Sequence, residues 1–208
     1  MIFCKSARPF LIRRIGAVFV GLSLMAVPTA ALAAHAKAPA QRHRVVRYRG
    51  TVFPAIGKDA AIVVDGMSGR TLYERDADAL RYPASLTKIM PLYLLFDALA
   101  NGKMTLDTPL FVSSHASAQE PTKLNVPAGK SIPVETAIKA IVVLSANDIA
   151  VAVAEALGGD ESGFAELMNK KAYALGMVRT HFHNASGLPD AKQTTTARDL
   201  ADRKSTRL

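Results

Sequence analysis

Two polar clusters in this chain carry groups that can do chemistry together: Ser85-Leu86-Thr87-Lys88 and, 57 residues after Lys88, Ser145-Ala146-Asn147. A serine hydroxyl is a weak nucleophile until a nearby base takes its proton. Residues i and i+3 of a helix share a face, so the Lys88 amine can reach the Ser85 hydroxyl. To act as a base the amine must be neutral, so its pKa must be depressed by burial or by a neighbouring cation. A second serine, Ser145, can relay the proton, and the Asn147 carboxamide can hold a peptide substrate. The chemistry such a set suits is acyl transfer through a covalent serine intermediate.

Neither cluster is specific alone. An S-x-x-K is expected by chance about once in a chain of this length, and S-x-N is as common. Their positions add weight. Ser85 follows Tyr82-Pro83-Ala84 at the start of a long apolar helix, where the helix terminus favours a developing oxyanion. Ser145-Ala146-Asn147 falls between two apolar helices, where a polar triplet is costly unless it is used.

The elements that must position these groups read as follows. Ala60–Asp65 reads as a buried strand, Asp65–Gly69 as a turn and Arg70–Glu74 as the returning strand. From about Ala84 the residues Leu86, Ile89, Leu92, Tyr93 and Phe96 recur at helical spacing, and Asn101-Gly102 is a stop. Residues 103–132, with Pro109, Pro121 and Pro127, read as loops. Val134–Leu144, apolar nearly all round after Pro133, is expected to be a buried helix. A helix from about Asp148 to Leu157 stops at Gly158-Gly159. Another places Phe164, Leu167, Met168, Ala172 and Leu175 on one stripe.

Composition excludes a nucleic-acid binder. The net charge is +9, but Lys5, Arg8, Arg13 and Arg14 carry +4 of it, and Lys37, Arg42, Arg44, Arg47 and Arg49 the other +5. Residues 51–208 hold 17 basic and 17 acidic side chains, so the globular part has no basic excess for phosphates. Residues 1–33 read as a secretory signal: a basic start, the apolar run Ile15–Val27, then Ala31-Leu32-Ala33, with cleavage expected after Ala33. Thirteen apolar residues are short for a membrane anchor, which needs about 20. The only cysteine, Cys4, would leave with the signal, so no disulfide or cysteine chemistry is expected. Residues 34–52 read as a basic flexible linker.

These motifs in this order resemble the low-molecular-mass penicillin-binding proteins, the serine-type D-Ala-D-Ala carboxypeptidases of peptidase family S11. The resemblance rests on Ala84-Ser85-Leu86-Thr87-Lys88-Ile89-Met90, Leu144-Ser145-Ala146-Asn147-Asp148, Met168-Asn169 with Leu175-Gly176-Met177, Phe182–Leu188 and Thr195–Ala201. It implies an α/β (α+β) transpeptidase-like fold, an antiparallel sheet flanked by helices. It implies that Ser85 attacks the carbonyl between two terminal D-alanines of a peptidoglycan stem peptide, that Lys88 is the general base, that Ser145 passes the proton on and that Asn147 hydrogen-bonds the substrate backbone. It also implies acylation of Ser85 by β-lactams, and an exported protein of the periplasm or cell envelope. A D,D-endopeptidase of the same family, a β-lactamase and a non-catalytic wall-binding protein are the rivals.

No cofactor or metal is expected. His181 and His183 alternate, but no third ligand stands at sensible spacing, so both read as structural. Glu166 reads as part of a solvated helix face. Two departures from the family stand out. Pro91 lies about six residues into the Ser85 helix, where the family usually has threonine. In a helix interior it would cost ~3 kcal/mol and could tilt Lys88. The family's K-T-G box does not occur in the 208 residues. Residues 53–201 are therefore expected to be the N-terminal part of the catalytic domain, inactive by itself, and Asp202–Leu208 a non-native tail. A peripheral membrane contact would belong to a missing C-terminus. Without K-T-G, the candidates for holding a substrate carboxylate are Lys123, Lys130 and Arg198.

Overall fold

The structure is a computed structural model that describes residues 46–48, 51–53, 57 and 59–201. The expected signal and the heptapeptide Asp202–Leu208 lie outside the described residues. Part of the basic segment expected to be a flexible linker is ordered differently. β1 (Val46–Tyr48) and β2 (Thr51–Phe53) pair as an antiparallel hairpin. Val46, Tyr48, Val52 and Phe53 are residues that favour strands.

β3 (Ala61–Val64) and β4 (Thr71–Arg75) form the hairpin read from the sequence. Its turn is held by Asp65, whose Oδ1 accepts the Ser68 N–H (2.7 Å) and hydroxyl (2.6 Å). A third ribbon pairs β5 (Pro109–Phe111) with β6 (Ser131–Pro133). Between them a single turn, α2 (Ser114–Ser117), is capped by the Ser113 hydroxyl. The loop-rich reading of residues 103–132 missed these three short elements. A three-residue strand is too short to show a period.

Among the described residues there are six α-helices. After a 3₁₀ turn at Ala84–Lys88, α1 runs from Ile89 to Ala100 and ends at Asn101-Gly102, with Gly102 at φ +67°. α3 (Val134–Lys139) continues into a π-helical turn at Ala140–Leu144. α4 (Asn147–Gly158) is the central helix, with every residue from Asn147 to Ala154 buried. α5 (Glu161–Ala174) starts on an Asp160 cap, and α6 is Ala197–Ala201.

Two apolar cores meet on α4. On one side Ile149, Val151 and Val153 pack with Leu95 of α1, Leu110, Val112, Ala137 and Ile141. On the other, Ala154 packs with Met90, with Phe164, Met168 and Ala172 of α5, and with Phe182 and Ala185. The alanines of α4 let neighbouring helices approach closely. Each large side chain fully removed from water contributes about 1.5–3 kcal/mol. Lys171 of α5 adds an ion pair to Asp97 of α1 (2.6 Å) and lies over the Tyr93 ring.

Three expectations need correction. The stretch Val134–Leu144 is not buried throughout, because Val142, Val143 and Leu144 are exposed. The inner face of this segment belongs to Val134, Ala137, Ala140 and Ile141, and the last three residues of the π-helical turn lie beyond the core that covers it. Leu167 is likewise exposed, at the edge of a stripe formed by Phe164, Met168, Ala172 and Leu175. Pro91 does not sit in a helix interior. It is the third residue of α1, within the first turn, where a backbone N–H has no intrahelical α-type partner to lose. The expected penalty of a mid-helix proline is therefore smaller at this junction of the 3₁₀ turn and α1.

Candidate active site

The site is built where the first turn after Pro83 meets the break between α3 and α4. A 3₁₀ helix has three residues per turn, so side chains at i and i+3 are eclipsed. Ser85 and Lys88 therefore stand in line on one edge of the Ala84–Lys88 turn. Their environments differ sharply. Ser85 is exposed, whereas Lys88 is only 3% exposed.

The Lys88 amine is not left without partners. Nζ donates to Asn147 Oδ1 (2.6 Å) and to the Ser186 carbonyl (2.5 Å). Both partners are neutral. Burial, which disfavours the charged amine, pushes the Lys88 pKa down to about 8. A lysine there is partly unprotonated near neutral pH, as a general base requires.

Asn147 opens α4, with its side chain buried. Its Nδ2 donates to the Glu120 carbonyl (2.8 Å), and its backbone N–H to the Thr122 carbonyl (2.8 Å). The substrate-binding part expected of Asn147 would need its carboxamide to face outward. Here one end holds Lys88 and the other holds the 120–125 loop. Next to it, the fully buried Asp148 carboxylate takes the Leu124 (3.0 Å) and Asn125 (2.9 Å) N–H groups. That loop therefore lies against the S-x-N break.

Ser145 ends the π-helical turn in the left-handed region, at φ 55° and ψ 38°. A non-glycine residue rarely adopts this conformation, and such outliers cluster at functional sites. Ser145 is half-buried, and its carbonyl accepts the Thr122 hydroxyl (3.1 Å). Lys88 and Asn147 are thus directly joined, while Ser85 and Ser145 lie on the two segments that carry them.

The wall opposite α4 is the segment 181–195. Thr195 pairs with Arg81, just before the Ala84–Lys88 turn, through Arg81 N–H to Thr195 O (2.7 Å) and Thr195 N–H to Arg81 O (2.8 Å). Asn169 of α5 clasps the segment's start, accepting the Phe182 N–H and donating to its carbonyl (both 2.8 Å). Gly187, at φ +83°, lies so close to the turn that a Cβ would stand 2.0 Å from the Ala84 carbonyl oxygen. Gly187→Ala is expected to destabilise the protein by more than about 4 kcal/mol, since backbone meets backbone and the φ is wrong for alanine. A thermal melt reads this directly, and an unchanged melting temperature would mean that the loop does not press on the turn.

The remaining candidates lie elsewhere. His183 Nδ1 meets Asp190 (2.7 Å), and His181 Nδ1 meets the Lys192 carbonyl (3.1 Å). Among the described residues no group of three His, Cys, Asp or Glu is placed to hold a metal ion. Glu166 is exposed on α5. Lys123 Nζ donates to the Ser117 carbonyl (3.0 Å) and Lys130 is exposed. Arg198 is gripped by Asp78 (2.8 and 2.9 Å) and Glu74 (2.7 Å), which raise its already high pKa, so it is committed to tying α6 to β4. Sequence reasoning missed three partners: the Ser186 and Glu120 carbonyls, which are backbone groups, and Gln193, which nothing in Lys192-Gln193-Thr194-Thr195-Thr196 sets apart.

Comparison with known proteins gives one consistent result. The peptidase S11 family, described as D-alanyl-D-alanine carboxypeptidase, matches residues 49–205. D-alanyl-D-alanine carboxypeptidase DacF of Bacillus subtilis is 34% identical over 142 residues, 68% of this chain and 36% of the relative. Among solved structures, the D-alanyl-D-alanine carboxypeptidase DacD from Francisella tularensis superposes with a TM-score of 0.68 at 36% identity, over 78% of this chain and 39% of that one. Penicillin-binding protein D2 from Listeria monocytogenes, solved with ampicillin bound, gives a TM-score of 0.57 at 32% identity, over 70% and 59%. The chain thus spans well under half the length of the curated relative. The shared fold is α+β, as the resemblance implied.

Proposed function

This chain belongs to the D-alanyl-D-alanine carboxypeptidase family, peptidase S11, and from that we propose that the whole protein is an exported serine carboxypeptidase removing the terminal D-alanine of peptidoglycan stem peptides. One observation carries the reading: a buried Lys88, its pKa lowered by burial and its amine held by Asn147, stands one 3₁₀ turn from the exposed Ser85. Neutral Lys88 takes the Ser85 proton as Oγ attacks the penultimate D-alanine carbonyl. Ser145 relays that proton from Lys88 to the nitrogen of the departing D-alanine as the C–N bond breaks, so the amine leaves neutral, Lys88 is neutral again, and the Ser85 ester remains. Water then cleaves the ester, and Ser85 regains its hydroxyl.

The exposed Ser85 is reachable by a peptide end, and its position at a helix start offers its N–H to the oxyanion. Asn147 orients Lys88, its carboxamide held between the amine and the Glu120 carbonyl. β-Lactams acylate the same hydroxyl, a reading supported by the ampicillin-bound relative. Residues 1–33 act as a cleaved signal that delivers the protein to the periplasm or cell envelope.

The test uses the whole protein purified from the cell envelope, where the mature chain is expected to begin at Ala34. It is expected to release D-alanine from a stem pentapeptide and to form a long-lived penicillin adduct. Cleavage of cross-linked muropeptides but not of pentapeptide would make it an endopeptidase. Rapid penicillin turnover would make it a β-lactamase, and peptidoglycan binding with no adduct a wall-binding protein.

A further inference from the structure

We propose that Gln193 is a positioning residue for Lys88, holding in place both the Ser186 carbonyl that accepts from the amine and the turn that carries the amine. The inference rests on the reading of Lys88 as the base. Gln193 is 2% exposed, although it lies in a loop where glutamine is ordinarily solvated. Both ends of its carboxamide are used. Oε1 accepts the His183 and Asn184 N–H groups (2.9 Å each). Nε2 donates to Thr87 Oγ1 (3.3 Å) and to Asn184 Oδ1 (3.2 Å).

Asn184 extends the grip. Its Oδ1 accepts the Gly187 N–H (2.8 Å), and its Nδ2 donates to the Leu188 carbonyl (2.9 Å). Residues on both sides of Ser186 are therefore fixed, and the Ser186 carbonyl is aimed at Lys88 Nζ. Thr87, fully buried, is the residue before Lys88. Gln193 itself is anchored by its N–H to the Asp190 carbonyl (3.2 Å) and by the Thr194–His181 bridge beside it. One side chain thus links the base's turn to one of the base's two acceptors.

Both groups that accept from the amine are neutral, and the loop behind Asn147 brings Glu120, whose carbonyl takes Asn147 Nδ2. Asn147 from α4 and the Ser186 carbonyl from the 181–195 segment face Nζ, and the Ala84–Lys88 turn has no other ionisable residue. Asp148 is occupied by the Leu124 and Asn125 N–H groups. Glu161, which accepts the Ala185 N–H, pairs with His115, and His183 pairs with Asp190. Burial beside two neutral acceptors lowers the proton affinity of Lys88.

The experiment measures penicillin acylation of the whole protein against pH, for wild type, Gln193→Met and Lys88→Ala. Methionine keeps the volume but leaves two buried N–H groups unpaired, so the segment loosens and water reaches the amine. The midpoint of the rate profile is expected to rise by about one unit, making acylation about tenfold slower at pH 7 and nearly normal at pH 10. A midpoint unmoved or lowered in folded Gln193→Met would overturn the inference. Lys88→Ala separates this from failure of its premise: undiminished acylation there would refute the base itself. Should Gln193→Met not fold, Gln193→Glu keeps the shape and both accepted N–H groups while adding a negative charge behind Thr87. Its midpoint is also expected to rise, and an unmoved one would count against the proposal.

Discussion

Ser85→Ala is expected to abolish acylation by penicillin and to cut D-alanine release from the whole protein by at least about 10⁴-fold, the scale seen when a serine nucleophile is deleted. The effect is this large because no other hydroxyl of the site combines exposure with a lysine one turn away. Thr87 is on the same turn but fully buried, with its oxygen taken by Gln193. Ser145 lies on a separate segment and ends a helix rather than starting one. Folding should be little affected, since Ser85 is exposed and alanine suits a helical turn. A Ser85→Ala protein with normal melting and no adduct isolates the chemistry from the fold. Residual labelling at wild-type rate would mean that another residue attacks.

The second large effect concerns Lys88. Its removal as Lys88→Ala is expected to slow acylation by about 10²–10⁴-fold, the range of a general base. Lys88→Arg should do no better, because a guanidinium stays charged. In the wild type the rate should climb with pH and level off above a midpoint near 8, since only the neutral amine accepts the serine proton. The same burial has a consequence for stability. Burial holds the folded amine's pKa near 8, below its value in the unfolded chain, so the protein is less stable at and below neutral pH than at alkaline pH. Between those two values the unfolded chain binds the extra proton, and stability rises with pH. A rate that is flat from pH 6 to 10, or that falls across that range, would remove Lys88 from the role of base.

Much of this arrangement was legible in the residues. The β3–β4 hairpin announces itself by Asp65-Gly66-Met67-Ser68-Gly69 between two apolar runs, because turn chemistry is local. The stops of α1 and α4 are legible for the same reason, in Gly102 and Gly159. The pairing of Ser85 with Lys88 is legible because spacing along one turn fixes it. What was not legible depends on contacts distant in sequence. That Asn147 spends its carboxamide on Lys88 and Glu120 follows only from the meeting of segments 59 and 27 residues apart. The smaller penalty at Pro91 depends on where a 3₁₀ turn gives way to an α-helix, a boundary with no residue signature. Backbone acceptors such as Ser186 carry no side-chain signal at all.

The central claim is that Ser85 is the nucleophile, and locating the covalent adduct tests it most directly. The whole protein is treated with penicillin, digested with trypsin and mapped by tandem mass spectrometry. Cleavage after Arg81 and Lys88 yields the peptide Tyr82–Lys88, whose two hydroxyl residues besides tyrosine are Ser85 and Thr87. The expected result is one penicilloyl group, carried by this peptide, with fragment ions that place it on Ser85. An adduct on Ser145, Thr87 or any residue outside that peptide would contradict the assignment of the nucleophile and of the base beside it.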